Sequence, residues 1–371
     1  MNALAWTMLI LGGATTAGGD EPGPLDPSAR LLEGSEASEY WSLYVELESG
    51  HRIAQQFLLS NSGPGDHNAV AVGHLVEPGR AAFRYENGRR RGRWKLSEDR
   101  LFFDIAASHL DLHRPTGELR ITKDVIEIRL FFDFPPDTLA ARIPDDRLPT
   151  DYHVDVLAIG TPTRGSIHAP WMSEPLETHG RLWLSHTWTP KSEAELIDRR
   201  VEILGHENGT SFYGLRVTKH DEFAGDWIVA SATTPNIIES RINIPAHWEE
   251  LKRSRAGQGE STYPLPSGFR FSRGPNSGHI ALGEEWLRFD PLSVIPQPFR
   301  WFIRRSTNPR QVWAEARIGV TLLPSPGSPS LPDTGEVVSD PNSNRETEKE
   351  TAERSVTGVA SITFMNPSER R

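Results

Sequence analysis

A histidine set among tryptophans offers the clearest chemistry in this sequence. In the segment HGRLWLSHTW, residues 179–188, His186 lies three residues after Trp183 and two before Trp188. Alternate residues of a strand share a face, so His186 and Trp188 would face the same way. An imidazole can take up or release a proton near neutral pH, and aromatic faces stabilise positive charge. The pattern predicts proton handling beside an apolar ligand, or else a histidine and tryptophans that only fill a core.

A second arrangement, HLDLH, could in principle bind a metal. His109, Asp111 and His113 alternate and would share one face of a strand. Imidazole and carboxylate groups are common zinc ligands. The same spacing is also typical of a polar strand face or rim, and the sequence fixes no further ligand. We therefore predict no metal site and no cofactor.

Nucleophilic and paired-carboxylate chemistry have weaker signals. The chain has no cysteine, which excludes disulfides, thiolate metal sites and cysteine nucleophiles. Neither Ser166 nor Ser185 lies in a GxSxG elbow. Acidic pairs are abundant, and β-proteins that act on sugars use such pairs across a groove. A carbohydrate-active or carbohydrate-binding protein stays open as an alternative, with the groove lined by Trp171, Trp183 and Trp286.

Short strands must position these side chains. Apolar and polar residues alternate from Trp41 to Leu47, and the same period recurs at 126–134, 181–188 and 311–323. The dipeptides at 87–88 and 208–209, both Asn-Gly, predict type I′ hairpin turns. Only 96–100 and 246–255 indicate short helices. The sequence therefore predicts an all-β chain of antiparallel strands.

Three segments resemble a lipocalin-like family that includes AttH-type proteins, hydroxyneurosporene synthase (a carotenoid hydratase), survival-factor proteins and fungal Diels-Alderases. They are EYW with the strand Gln55-Gln56-Phe57 and the turn at 61–65, then HGRLWLSHTW, then VEILGHENGTSFYGLRVTKHD at 201–221. Together they span about the first 220 residues. The resemblance implies two lipocalin-like antiparallel β-barrel or β-sandwich modules side by side, with an apolar cavity for one small molecule.

The resemblance also implies a site for a hydrophobic ligand such as an isoprenoid, a lipid or a polyketide-like compound. His186 would be its catalytic residue, in hydratase or cyclase chemistry. The ligand-contacting residues would be Trp41, Gln56, Trp183, Trp188 and Tyr213. Family members often carry an acid directly before the matching histidine, whereas Ser185 stands here. A carrier without catalysis, and a structural or partner-binding protein without a pocket, therefore remain open.

Length and composition limit the number of modules and the classes of partner. With 371 residues the chain is long enough for two cores, and we predict modules at 39–232 and 233–371. Within the second, 324–354 is predicted to be a disordered insert, because Pro, Ser and charged residues replace aromatic ones there. The net charge of -10 argues against a sequence-wide electrostatic footprint for nucleic acid or an anionic membrane, so no nucleic-acid partner is predicted. The arginine run at 89–93 indicates a solvated hairpin arm, and the oligomeric state is left open.

The amino-terminal segment predicts export. Residues 3–14, ALAWTMLILGGA, form an apolar run too short to span a bilayer, and small residues follow it. We therefore predict a signal peptide at 1–19 and a flexible tether at 20–38. The protein would be periplasmic or extracellular, or cytoplasmic if the run is not a signal. No other segment is long and apolar enough for an integral membrane span.

Overall fold

The computed structural model describes most of the chain from residue 25 onward. The described residues are 25–62, 65–134, 141–143, 145, 148–219, 223–234, 237–238, 247–251, 263, 265–273, 276–294, 297, 300–301, 304, 307–322 and 352–365. The predicted signal peptide lies outside them, and so does nearly all of the predicted insert. Both stay predictions.

The first sheet contains twelve strands. They are β1 (Ser38–Leu47), β2 (Arg52–Ser60), β3 (Asn68–Val76), β4 (Phe83–Arg89), β5 (Lys95–Leu96), β6 (Phe102–Ile105), β7 (Ser108–Asp111), β8 (Thr116–Lys123), β9 (Ile126–Asp133), β10 (Ala141–Arg142), β11 (His153–His168) and β12 (Leu176–Thr189). The order is β4-β3-β2-β1-β12-β11-β9-β8-β7-β6-β5, and β10 pairs with β11. The twelfth strand thus lies between the first and the eleventh.

The second sheet contains nine strands and follows a four-residue helix, α1 (Glu193–Leu196). Its strands are β13 (Arg199–Glu207), β14 (Thr210–Lys219), β15 (Phe223–Thr234), β16 (Ile237–Ile238), β17 (His247–Leu251), β18 (Gly268–Arg273), β19 (Asn276–Phe289), β20 (Arg310–Leu322) and β21 (Ala352–Phe364). The order is β16-β15-β14-β13-β21-β20-β19-β18-β17. The last strand therefore lies in the middle, between β13 and β20.

The two sheets confirm the predicted fold class. Strands make up 63% of the structure and helices 5%, and each antiparallel sheet curls into a half-barrel. In the first sheet, Asn87 of β4 donates a hydrogen bond to Ser108 of β7 at 2.9 Å, which holds two distant strands of the curled sheet together. The sheets divide between Thr189 and Arg199, earlier than the predicted boundary at 232–233. Sheet membership alone does not define a folding unit, so the module ranges stay a prediction.

The alternation seen at residues 41–47 sorts side chains onto two faces. Trp41, Leu43 and Val45 pack into the core enclosed by the first sheet. The intervening Tyr44 packs instead between the two sheets, where its ring stacks on Trp313 of β20 at 5.4 Å. Burying a large apolar side chain contributes about 1.5–3 kcal/mol. One strand therefore stabilises both its own half-barrel and the contact with the second.

Local turn and helix predictions had mixed outcomes. Asn208 and Gly209 both have positive φ, 49° and 76°, as a type I′ turn between β13 and β14 requires. The turn prediction at 87–88 was wrong, because β4 runs to Arg89 and the Asn87 side chain is used in the hydrogen bond to β7. Both helix predictions were also wrong. Residues 97–100 form a turn, and 247–251 is β17, because pairing with β18 overrides a weak helical pattern.

Candidate functional site

His186 is fully buried on the inner face of the first sheet. Its neighbours across the strand pairs are Trp41 on β1 and Asp155 on β11. The imidazole stacks on the Trp41 ring at 4.4 Å between centroids and lies 4.9 Å from the Trp188 ring. Directly opposed residues of antiparallel strands lie on one face, so this stack follows from the register of β1, β11 and β12.

The acid missing before His186 is supplied by another strand. Glu39 of β1 accepts a hydrogen bond from His186 Nε2 at 2.7 Å, and both side chains are almost completely buried. The Glu39 carboxylate also accepts the backbone N–H groups of Arg30 at 2.7 Å and Leu31 at 3.1 Å. Because the carboxylate acts as acceptor in all three bonds, His186 carries its proton on Nε2.

The other imidazole nitrogen is free. His186 Nδ1 is buried and has no hydrogen-bond partner among the described residues. In the neutral tautomer with its proton on Nε2, Nδ1 is an acceptor, and in the imidazolium form it is an N–H donor. In either form, leaving this buried polar atom unpaired costs about 1–3 kcal/mol. Glu39 therefore fixes the orientation of the His186 imidazole, and no described residue bonds to Nδ1.

Residues 25–37 cover this pair, and we call them the covering segment. Trp41 Nε1 donates to the carbonyl of Pro27 at 3.1 Å, and the Arg30 guanidinium lies 5.1 Å from the Trp188 ring centroid. Leu25 and Ala29 are buried in the core of the first sheet. This part of the predicted tether therefore packs on the sheet, beside the Glu39–His186 pair.

A second buried acid flanks the histidine. Asp155 is completely buried and accepts two hydrogen bonds from Arg142 of β10, at 2.9 and 3.1 Å. These hydrogen bonds raise the pKa of Arg142, against the opposing effect of its partial burial. Asp155 is thus committed to an ion pair, which leaves Glu39 as the acid bonded to His186.

A separate polar cluster lies between the two sheets. Arg200 of β13 donates to the hydroxyls of Tyr40, Tyr152 and Thr187 at 2.8–2.9 Å, and to Glu202 at 2.8 Å. Burial alone would lower the pKa of Arg200, but the neighbouring carboxylate raises it well above its usual value. The buried ion pair is therefore charged on both sides and ties the second sheet to the first.

Tyrosine hydroxyls complete this network. Tyr40 and Tyr152 donate to Glu193 of α1 at 2.7 and 2.8 Å, and Tyr213 donates to Glu202 at 2.8 Å. Burial raises the pKa of all three tyrosines well above 10, so the hydroxyls keep their protons as donors. Most polar groups here are satisfied internally, as expected of a structural network.

The residues predicted from sequence fall on two different faces. Trp41 and Trp188 lie beside His186 on the inner face of the first sheet. Gln56, Trp183 and Tyr213 lie between the sheets. There the Trp183 indole donates to the Phe212 carbonyl at 3.1 Å, and Gln56 is 3.4 Å from the Ser42 hydroxyl. The six residues therefore do not line one pocket, although their roles stay predictions.

Other sequence candidates are not assembled into sites. No group of three or more His, Cys, Asp or Glu side chains among the described residues is placed to hold a metal ion. His113 bonds instead to Asp111 and to Asp99, at 2.5 and 2.7 Å. The tryptophans considered for a sugar groove also separate. Trp171 packs against the first core, whereas Trp183 and Trp286 pack between the sheets.

Sequence reasoning missed Glu39, Arg200 and Glu202. Glu39 belongs to the EYW motif and shares the inward period of Trp41, so a buried acid in an apolar register was a visible signal. Its partner, His186, lies 147 residues away in the chain, and the contact between them can be predicted only if the strand order is known. Arg200 and Glu202 also alternate within an apolar run, which is the pattern of a buried ion pair.

Comparison with solved structures places the fold. The chain matches an AttH candidate from Nitrosomonas europaea with TM-score 0.57 and 11% identity, over 92% of this chain and 98% of that one. Kievitone hydratase from Nectria haematococca matches with TM-score 0.54 and 8% identity, over 93% of each chain. CghA, a Diels-Alderase solved with Sch210972, matches with TM-score 0.54 and 11% identity, over 93% and 95%.

These neighbours confirm the family resemblance at the level of fold. Identities this low show a shared architecture and do not transfer an activity. No protein-family model and no curated sequence matches the chain. Among the described residues, no helix has the length and apolar character needed to cross a bilayer.

Proposed function

We propose that the protein binds a hydrophobic small molecule against the Trp41–His186–Trp188 face of its first half-barrel. The oriented imidazole would then exchange a proton with the ligand or with a water molecule beside it. This is the proton handling that a hydratase or cyclase reaction requires. The observation that carries the proposal is His186 itself: Nε2 is bonded to Glu39, while Nδ1 is buried and has no hydrogen-bond partner in the part of the chain that the structure describes.

The surroundings of His186 suit an apolar ligand. Two indole faces flank the imidazole, and aromatic faces stabilise positive charge as it develops on a ligand. Glu39 would stabilise the imidazolium form in the same way that the third member of a catalytic triad does. The solved neighbours support small-molecule binding by this fold, since CghA was crystallised with Sch210972 and another neighbour is a hydratase.

Binding would require the covering segment to move. In this segment the Pro27 carbonyl accepts a hydrogen bond from the Trp41 indole, and two backbone N–H groups donate to the Glu39 carboxylate. A ligand that enters this face would replace the apolar contacts of Leu25 and Ala29 with its own surface. The segment therefore acts as a cover whose release makes the site accessible.

Binding can be tested with geranylgeraniol, an uncharged isoprenoid alcohol, by tryptophan fluorescence and native mass spectrometry. We expect saturable quenching and a mass shift of one ligand for the wild type. Trp188→Ala should weaken binding about tenfold, a loss of about 1.4 kcal/mol. Trp301→Ala removes a half-exposed indole and serves as the control. Equal binding by both variants, or none by the wild type, would contradict the proposed site.

Proton handling needs a separate test. Once a ligand is found, product formation is measured for the wild type, His186→Ala and Glu39→Gln. Turnover should fall in both variants while ligand affinity changes little, because general acid–base groups typically contribute about 10²- to 10⁴-fold. Wild-type turnover by His186→Ala would eliminate the catalytic role and leave a carrier.

One observation favours a second function. The core enclosed by the first sheet is tightly filled, and Trp41, Phe103, Leu110 and Phe132 are all completely buried. The interior of a small barrel is either filled by side chains or holds one small ligand, so a filled interior favours a structural or partner-binding protein. Failure of geranylgeraniol and of a panel of lipids to bind, with the covering segment still packed, would favour that function.

A further inference from the structure

The connection between β4 and β5 is the most basic part of the chain. Residues 87–97 carry five cations and no acid, within a protein of net charge -10. We call these five side chains the basic tip, and all of them are exposed: Arg89, Arg90, Arg91, Arg93 and Lys95.

Within the described part of the chain, no acidic side chain pairs with the four arginines of the basic tip. None of them forms an ion pair with a described residue, and Lys95 has only Asp104 at 3.9 Å. By contrast, Arg142 and Arg200 are each held by a carboxylate at 2.8–2.9 Å. A concentrated, unpaired positive charge on an acidic protein creates a local potential that attracts anionic surfaces.

The basic tip borders the covering segment. Arg91 lies 5.8 Å from the ring centroid of Trp94, and the Trp94 indole donates to the His67 carbonyl at 2.9 Å. The His67 imidazole in turn lies 3.2 Å from the carbonyl of Leu32. Leu32 belongs to the covering segment and follows Leu31, whose N–H group donates to Glu39. The tip is therefore located at the end of the half-barrel where the proposed site is covered.

We propose that the basic tip docks the protein on the surface of an anionic phospholipid bilayer. This inference rests on the proposed function, because a bilayer is where an apolar ligand accumulates. Trp94 is buried, so the tip offers no exposed aromatic ring for stacking nucleic-acid bases. Without an exposed apolar anchor the attraction is electrostatic, and each cation near the membrane strengthens binding about fivefold.

The test is sedimentation of the ligand-free protein with vesicles. One set contains phosphatidylcholine alone and the other adds phosphatidylserine. The test variant changes Arg89, Arg90, Arg91 and Arg93 to Ser. The control variant makes the same change in net charge at four exposed arginines elsewhere, Arg120, Arg129, Arg164 and Arg270.

We expect wild type and control to bind the phosphatidylserine vesicles and to be released by salt. The test variant should bind at least 100-fold more weakly, since four cations at about fivefold each are lost. Equal loss in both variants, equal binding to both vesicle types, or preferential binding of single-stranded RNA would overturn the proposal. Because no ligand is present, failure here is distinct from failure of the proposed site, which the geranylgeraniol titration reports.

Discussion

Replacing Glu39 should release the covering segment. In Glu39→Leu three donors lose their acceptor at once: the N–H groups of Arg30 and Leu31 and Nε2 of His186. His186 is fully buried, whereas the two backbone donors are part-buried. An unpaired buried donor costs about 1–3 kcal/mol, so about 3–9 kcal/mol is an upper range for the three together. Detachment of the segment lets the two backbone groups bond to water and limits the loss, and we expect about 3 kcal/mol. Native domains have about 5–15 kcal/mol, so the variant should still fold.

Urea unfolding measures this loss, and amide hydrogen exchange locates it. Exchange at Arg30 and Leu31 should accelerate by more than tenfold in Glu39→Leu, while the amides of β1 stay protected. Glu39→Gln keeps one acceptor oxygen, so its loss should be smaller, about 1–2 kcal/mol. Glu36→Leu is the control, because Glu36 lies in the same segment and is exposed.

The reasoning fails if Glu39→Leu unfolds within 1 kcal/mol of the wild type and its Arg30 and Leu31 amides remain protected. That outcome would mean that the carboxylate does not hold the covering segment. It would also remove the physical basis for an oriented His186.

Three further predictions concern stability. Burial, with Arg84 adding to it, lowers the pKa of His74 to about 4, so the folded state binds its proton less well than the unfolded state. The contribution of His74 to the free energy of unfolding is therefore fully present above about pH 6.5 and should fall by about 3 kcal/mol as the pH drops to 4. The free energy of unfolding of His74→Gln, measured in urea, should not show this dependence on pH. Arg200→Met should cost about 3–5 kcal/mol because it leaves Glu202 charged and buried, and the double variant Arg200→Met/Glu202→Leu should regain part of that loss in thermal unfolding. Hydrogen bonds to two carboxylates raise the pKa of His113. The contribution of His113 to folding stability is therefore present below about pH 6.5 and is lost as the pH rises through its pKa in the folded state. An NMR titration of its ring protons should show a midpoint above 6.5.

The sequence was a good guide to strands and a poor guide to their partners. The alternation from Trp41 to Leu47 identified β1 and its inward face, because a period of two needs no knowledge of the rest of the fold. It could not show that Glu39 meets His186, since that contact depends on β12 lying beside β1. The prediction also grouped Trp183 with His186, although the alternation along β12 by itself places the two side chains on opposite faces.

Local signals failed where the fold uses a side chain for something else. Asn208-Gly209 forms the turn that its sequence indicates, whereas the identical dipeptide at 87–88 continues β4, because Asn87 bonds to β7. Turn propensity was the same at both places. Tertiary hydrogen bonding decided between them.

The central position of β21 has a consequence for synthesis on the ribosome. The first sheet has all its strands once residue 189 has emerged, because β12 completes it. The second sheet cannot close until residues 352–364 have emerged, since only β21 joins β13 to β20. Until then two open strand edges are available to other chains, which is a hazard for aggregation. All strands of the first sheet can therefore pair during translation, whereas the pairing of the second sheet is complete only after β21 has emerged.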